Sequence, residues 1–325
     1  MKLVVLSARH LGEDFGFRNL SRPLEDALSS LPGATRVAPA PFSSGTLRSS
    51  VPAWLGAIKT LRRADVVYWN QGAHYPNLQL WALAYTRPRA RRVCLAMDLS
   101  QLVVERMRHL IRVQRIAICF TTYREAVEAI KRTSPDTPIE WLPPGFSRAV
   151  FRDLGLPRDI DILWIGRRHP PLHAALLRFS DETGYRYRYS HHARDPATSE
   201  ELSQLVGRAR YYVVTPPGPE RVGEFNPISV RYLEGLGAGA RLLGVLPRSG
   251  EFQDLFPMDA LVECAADGSN LPAVLAEADA DPQWEEKRVA ARDIVHESHG
   301  WEKRARHIYD RIMSLQGKPE SSASA

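Results

Sequence analysis

The stretch Gly223 to Val245, GEFNPISVRYLEGLGAGARLLGV, constrains the fold more than any other part of the chain. It reads as loop, helix, tight turn and strand. Asn226 suits an N-cap, because its side-chain oxygen can accept from the free N–H groups of a first turn. Pro227 follows at the first helical position, where a missing N–H costs nothing. Val230, Leu233 and Leu236 recur at helical spacing. Gly235, Gly237, Ala238 and Gly239 carry almost no side-chain bulk, so the helix end can press against a sheet, and Gly239 is a natural stop. Ala240 to Val245 continues as an apolar run long enough for a buried strand. A helix start of this kind gathers unpaired N–H groups and the positive end of the helix dipole, which suits a phosphate or diphosphate. Glu234 lies two turns further in, where its carboxylate needs either Arg231 three residues before it or a ligand hydroxyl. From this stretch alone both partners stay open.

The same alternation runs through the whole chain. Strands are expected at Lys2 to Leu6, Asp65 to Trp69, Val93 to Met97, Ala117 to Thr121 and Ile139 to Leu142. Helical patterns fall between them, at Pro23 to Leu31, Ala53 to Arg63, Leu99 to Arg112 and Thr122 to Arg132, and Ser7 to Asn19 reads as a loop. Pro143, Pro144 and Gly145 break the pattern and mark a domain junction. It restarts with strands at Ile160 to Ile165, Tyr211 to Thr215 and Ala260 to Cys264, and helices at Leu172 to Glu182 and Ser199 to Arg208. Leu271 to Leu315 is mostly helical, and Trp301, Ala305, Ile308, Ile312 and Leu315 give the last helix one apolar face. This order implies an α/β protein of two tandem Rossmann-like domains, each a doubly wound parallel sheet, facing a cleft. The expected divisions are 1–144, 145–298, a final helix at 299–316 packing back on the first domain, and a disordered tail at 317–325.

Composition narrows the partners. A chain of 325 residues with a formal charge of +6 favours anionic ligands such as a nucleotide, an acidic membrane surface or nucleic acid. Arg87, Arg89, Arg91 and Arg92 cluster locally, although arginines of this kind commonly solvate a surface. Nucleic acid is disfavoured, since aromatic residues interleave with arginine only at Tyr185 to Tyr189, which reads as a strand. No run approaches the roughly 18 to 20 apolar residues that cross a bilayer, which leaves at most a weak peripheral membrane contact. The start MKLVVLSARH resembles a signal peptide, but its apolar run is short and Arg9 interrupts it, so it reads as a first strand. Cys94, Cys119 and Cys264 sit in apolar runs and read as reduced core thiols of a cytoplasmic protein. The oligomeric state is not legible.

Several loops could carry chemistry. Gly12 and Gly16 follow the first strand and allow backbone to approach a ligand, but no G-x-G-x-x-G is present. Gly166-Arg167-Arg168-His169 directly follows a strand, with His173 next, and arginine there can clamp a diphosphate bidentately. His74 lies in a loop past a strand end and Asp98 ends another strand; either can orient an acceptor hydroxyl or act as a base. Asp159 and Asp161 form D-x-D, but at the start of a strand, the wrong end of a sheet for a ligand. His191-His192 and the pair His296 and His299 lack an accompanying cysteine or carboxylate set, so no metal site is expected.

The segments ILWIGRR, YYVVTPPGPERVGEFNPISVRYLEGLGAGARLLG and HGWEKRARHIYDRI resemble the donor-binding half of GT-B glycosyltransferases. The resemblance is to the retaining group-1 type and its spore-maturation (CgeB-like) branch. WLPPGFSRAVF resembles the family's interdomain passage, and MKLVVLSARHLGEDFGFRNLSRPLEDAL its first strand, loop and helix. The resemblance implies an N-terminal acceptor domain and a C-terminal domain for a nucleotide-diphosphate sugar. It implies transfer to an acceptor hydroxyl of a small molecule or glycan, with retention, no metal and no cofactor. By it, Glu234 matches the glutamate that holds the donor's ribose hydroxyls. The backbone at Pro227, Ile228 and Ser229 matches the helix start that meets the diphosphate, and Arg167 or Arg168 would neutralise that group.

Two positions depart from the family. A glutamate is common eight residues before the ribose glutamate, and that place is Asn226 here, with Glu224 two residues away as a substitute. A second basic residue usually follows the glycine–arginine turn, and His173 sits near there. Beside transfer, the alternatives are a sugar-nucleotide epimerase of the same fold and a non-catalytic nucleotide-sugar-binding homologue.

Overall fold

The computed structural model describes residues 1–7, 16–38, 47–72, 84, 86, 89–190 and 198–316. The chain divides into two compact units: Met1–Pro143 with Trp301–Ala325, and Pro144–Gly300.

In the first unit the elements run β1 (Leu3–Leu6), α1 (Gly16–Ser29), β2 (Ala34–Val37), α2 (Leu47–Leu61), β3 (Val66–Gly72), β4 (Arg91–Met97), α3 (Val104–Val113), β5 (Ile116–Thr121), α4 (Arg124–Thr133) and β6 (Ile139–Trp141). The second unit holds β7 (Ile160–Ile165), α5 (Pro170–Thr183), β8 (Tyr187–Ser190), α6 (Ser199–Gly207), β9 (Ala209–Val214), α7 (Pro219–Val222), α8 (Val230–Gly237), β10 (Arg241–Gly244), α9 (Glu251–Leu255), β11 (Leu261–Glu263), α10 (Leu271–Ala280) and α11 (Trp284–Ser298). The last helix, α12 (Trp301–Gln316), belongs to the first unit, where Trp301, Ala305, Ile308 and Ile312 enter the same core as Leu3, Val5 and Phe120.

Both sheets are parallel. The six-stranded sheet has the order β2-β1-β3-β4-β5-β6 and the five-stranded sheet β11-β10-β9-β7-β8. Strands such as LVVL in β1 and RLLG in β10 are buried along their whole length. A strand covered on both faces reads as a continuous apolar run rather than an alternation, which is why these segments are legible. In each unit the chain leaves its first strand in one direction and returns on the other side, so β1 lies between β2 and β3, and β7 between β8 and β9. In such sheets a crevice opens beyond the carboxyl ends of the strands at that reversal.

The helix before β10 packs as its composition implies. A methyl group added to Gly235 would lie 2.7 Å from both Leu242 and Tyr212, and Gly239 ends the segment at φ +77°. Its start differs from expectation. Neither Asn226 caps the helix nor does Pro227 open it: α8 begins at Val230 with Ser229 as N-cap, which makes no side-chain hydrogen bond. The reason is a partner far away in sequence. The Ile228 N–H donates to Glu251 Oε2 at 2.8 Å, and Asn226 Oδ1 accepts from the Arg248 N–H at 2.7 Å. These bonds tie the segment before Val230 to residues that follow β10, and Ser229 itself is extended, with φ −110° and ψ 165°, which is no helical conformation.

Two further expectations change. The loop after β1 is shorter than Ser7 to Asn19, because α1 opens at Gly16 and carries Pro23 inside it. Of the arginine cluster, Arg87 lies outside the described residues, Arg89 is exposed, and the other two turn to backbone carbonyls. Arg92 is buried and donates from Nη1 to the Gln114 carbonyl at 3.0 Å, while Arg91 donates to the Leu315 carbonyl of α12.

Candidate functional site

At the carboxyl edge of the second sheet, Gly166 follows β7 with φ +118°, a conformation that costs an ordinary side chain and that glycine adopts freely. Its N–H donates to the Ser190 carbonyl at 3.0 Å and its carbonyl accepts from Tyr189 Oη at 3.1 Å. The turn delivers Arg167 and Arg168 exposed at the edge. The Arg168 guanidinium stands 5.9 Å from the centre of the Tyr189 ring. Burial lowers the Arg167 pKa, and the Arg221 charge lowers it further. His173, in the first turns of α5, shares its Nδ1 with Tyr187 Oη at 2.8 Å and packs against the Tyr189 ring at 4.7 Å. Burial, then the Arg168 charge, lower its pKa, so both disfavour the charged ring.

The adjacent strand, β9, ends in the loop of Thr215, Pro216, Pro217 and Gly218, which leads to α7. Beyond it, Glu224 is exposed, Pro227 and Ile228 are buried, and Ser229 is half-buried. Ser229 gives no side-chain cap to the first turn of α8, where the Tyr232 N–H donates to the Ser229 carbonyl at 3.2 Å. Glu234 is 5% exposed. Arg231 Nη1 donates to its Oε2 at 2.6 Å, so of the two partners left open by the sequence the arginine is in place. Burial opposes the Arg231 charge, but the Glu234 carboxylate and the Tyr212 phenol outweigh it and raise the arginine's pKa.

The charge distribution distinguishes the two edges of this sheet. At the amino edge arginines are matched to carboxylates. Arg208 Nε donates to Asp159 at 2.7 Å, Arg186 to Asp161 at 3.1 Å, and Arg210 to Asp279 at 2.8 Å. The D-x-D pair is thus consumed in structural ion pairs. Among the described residues no group of three histidine, cysteine or acidic side chains is placed to hold a metal.

In the first unit, Asp98 follows β4 with φ +55°, a strained conformation for a residue with a Cβ. Its N–H donates to Thr122 Oγ1 at 3.0 Å and its carboxylate accepts from Tyr123 Oη at 3.1 Å. Gly16 opens α1. Gly12 and His74 lie outside the described residues.

Sequence reasoning missed a buried polar network at the reversal of this sheet. Tyr68 Oη donates to Asn70 Oδ1 at 2.7 Å, Asn70 Nδ2 to Glu25 Oε1 at 2.8 Å, and Ser7 Oγ to Glu25 Oε2. Burial, then the Glu25 charge, raise the Tyr68 pKa well above the ordinary value. A carboxylate one residue after Leu24 and three before Leu28, both core residues, was the available signal. Glu251, fully buried, was missed as well, and nothing local to it announces that it reaches Ile228.

No family model matches the chain, and no curated protein matches it. Solved structures do. The chain is similar to a sucrose-phosphate synthase from Thermosynechococcus elongatus at 14% identity and a TM-score of 0.62, over 97% of this chain and 99% of that one. It is similar to HepE of Anabaena in complex with UDP and glucose at 13% identity and a TM-score of 0.61, over 97% and 100%. A UDP-GlcNAc 2-epimerase from Methanocaldococcus jannaschii matches at 13% identity and a TM-score of 0.55, over 97% and 100%. The fold, two parallel-sheet α/β units, is that of GT-B-like glycosyltransferases. No helix among the described residues is long and apolar enough to cross a membrane.

Proposed function

We propose that the protein is a glycosyltransferase that moves a sugar from a nucleotide-diphosphate donor to an acceptor hydroxyl, with retention and without a metal. The observation that carries this reading is the carboxyl edge of the second sheet, which holds both the exposed Arg167 and Arg168 and the start of α8, whose N-cap Ser229 makes no side-chain hydrogen bond. The neighbours with this fold include a complex with UDP and glucose and one with UDP-glucose.

In this reading the diphosphate lies between the arginines and the first turn of α8, which together neutralise the charge that grows on the leaving group. Glu234 takes the ribose hydroxyls through Oε1, with Arg231 holding the carboxylate in place through Oε2. Glu224 and Asn226 flank the sugar, and the first unit takes a small-molecule or glycan acceptor through Asp98 and His74. Retention is carried here by the resemblance alone, and its direct measure is the anomeric configuration of the product.

The experiment is a panel of nucleotide sugars followed by thermal shift and by release of free nucleoside diphosphate, with and without EDTA. Stabilisation with release that EDTA leaves unchanged is the expected result. Stabilisation without release would make the chain a binding homologue, and no stabilisation by any member would overturn the reading. The epimerase among the structural neighbours favours one second reading, a sugar-nucleotide epimerase. Conversion of the donor's sugar without any acceptor would select it.

A further inference from the structure

The two sheets differ in the charge at their amino edges. In the second, Arg208, Arg186 and Arg210 are each matched to a carboxylate. In the first, a groove of about 420 Å³ opens at the starts of β1 and β2 beside the last turn of α2. That volume lies within the roughly 300–1,000 Å³ usual for small-molecule sites. Val4 and Thr35 are direct partners in the pairing of β1 with β2, so their side chains share one face of the sheet. Val4 is 2% exposed, whereas Thr35 is exposed. Cover on this face therefore ends between β1 and the edge strand β2, and the groove follows that margin.

Three cations reach it. Lys2 lies two residues before Val4 and lines the groove with it. Lys59 and Arg63 stand four residues apart. The helical turn continues past Leu61, with the Arg62 N–H donating to the Ile58 carbonyl at 2.9 Å, so both fall on one side of α2. Among the described residues no carboxylate lines the groove, and none of the three exposed cations forms an ion pair. Asp65, two residues beyond Arg63, accepts instead from the Lys2 N–H at 2.8 Å. The carboxyl end of α2 favours Lys59 and Arg63, but gives no reason for Lys2 to join them from the sheet. A concavity lined by one sign of charge concentrates counter-ions.

We propose that this groove binds a phosphate group, free or carried by a small molecule, with Lys2, Lys59 and Arg63 as its cations and the Thr35 hydroxyl as a further donor. Arg63 offers a planar fork to two phosphate oxygens, and the lysines act as point charges. Val4 and Ala34 give the rest of an ester an apolar floor. Substrate crevices of such sheets open beyond the carboxyl ends of the strands, so a ligand at the amino edge is separate from the donor and acceptor reading and does not rest on it.

The test is calorimetric titration of the full chain with ribose 5-phosphate, inorganic phosphate and ribose at fixed ionic strength. Both phosphates should bind and ribose should not. Tighter binding of the ester assigns the groove to a phosphorylated small molecule, and equal binding assigns it to the free ion. Lys59→Ala and Arg63→Ala should each weaken both phosphates about tenfold, as expected for loss of a charged hydrogen bond. Because these side chains are exposed, the variants should keep the wild-type melting temperature. Arg132→Ala removes an exposed charge from α4 and should change either affinity less than twofold. Arg167→Ala should leave both unchanged, which separates the groove from the donor site. No binding of either phosphate would overturn the proposal. So would loss of binding in Arg167→Ala with the groove variants unaffected, or weakening by Arg132→Ala equal to theirs, the mark of general electrostatics.

Discussion

Arg231 and Glu234, three residues apart on α8, form an ion pair of 2.6 Å with side chains 18% and 6% exposed. A pair so far out of water is worth little against an apolar substitute but costs heavily to break from one side. Arg231→Ala should therefore destabilise the second unit by about 3 kcal/mol, because it leaves the carboxylate buried alone. Arg231→Met, which keeps the stem's packing, is not expected to rescue it, since the carboxylate still lacks a partner. Urea unfolding with a probe in this unit measures both. Glu234→Gln should retain the fold better and report on the ligand, with nucleoside diphosphate affinity falling.

Arg167 and Arg168 leave the same turn in different surroundings. Arg168 stands over Tyr189, while Arg167 shares the field of Arg221. Replacing Arg167 by alanine should weaken nucleoside diphosphate binding by about 1.5–3 kcal/mol, the range for a charged hydrogen bond. Arg168→Ala should cost less, because the ring contact already holds that guanidinium. Calorimetry on the two variants checks the order.

Asn226 and Glu251 latch the segment before α8. Asn226→Ala should cost about 1 kcal/mol of stability for its bond to the Arg248 N–H. Glu251→Ala should cost more, since it strands the buried Ile228 N–H and empties a fully buried site. If the latch shapes the diphosphate site, both variants raise the KM for donor more than they lower kcat. Steady-state kinetics with a nucleotide sugar that turns over gives that ratio.

Gly235 faces the sheet at contact distance, so Gly235→Ala should overpack Leu242 and Tyr212 and cost about 1–3 kcal/mol. Gly166 has open space around its Cα, and Gly166→Ala should cost only the strain of its positive φ, about 1–3 kcal/mol. Thermal denaturation of the two variants separates crowding from backbone strain.

In the first unit, Arg311 of α12 donates from Nε to Glu140 of β6 at 2.9 Å and from Nη2 to the other carboxylate oxygen. The Arg311 hydrogen bond holds the Glu140 pKa below 4.5, against the opposing effect of burial. A carboxyl group with a lowered folded pKa stabilises the protein above its unfolded pKa and loses that contribution as pH falls through the folded value. The pair is partly exposed, so its contribution at pH 7 should be under about 1 kcal/mol. The stability difference between wild type and Glu140→Gln should be present at pH 7 and vanish in acid below the lowered pKa, as read by urea unfolding at each pH.

What was legible in the chain follows from how far each determinant reaches. Strands buried on both faces must be apolar throughout, so LVVL and ARYYVV declare themselves locally, and their alternation with helical patterns already entails parallel sheets. Gly235 and Gly239 were readable for the same reason, since close packing and a left-handed turn each demand a residue without a Cβ. Asp98 and Gly166 were readable as strand ends, although the positive φ of Asp98 was not.

Tertiary structure alone decided what depends on partners distant in sequence. The start of α8 is set by Glu251, 23 residues from Ile228, and no local preference of Asn226 or Pro227 reports that bond. Glu234 could choose between an arginine and a ligand until the fold withdrew it from water beside Arg231. Gly166 and Thr215 leave the ends of neighbouring strands only because the sheet sets β9 beside β7. Local patterns thus determine which segments are strands and helices, because burial acts on each residue where it stands. Charges and hydrogen-bond donors find their partners through space, and the order of strands in the sheet decides which of them meet.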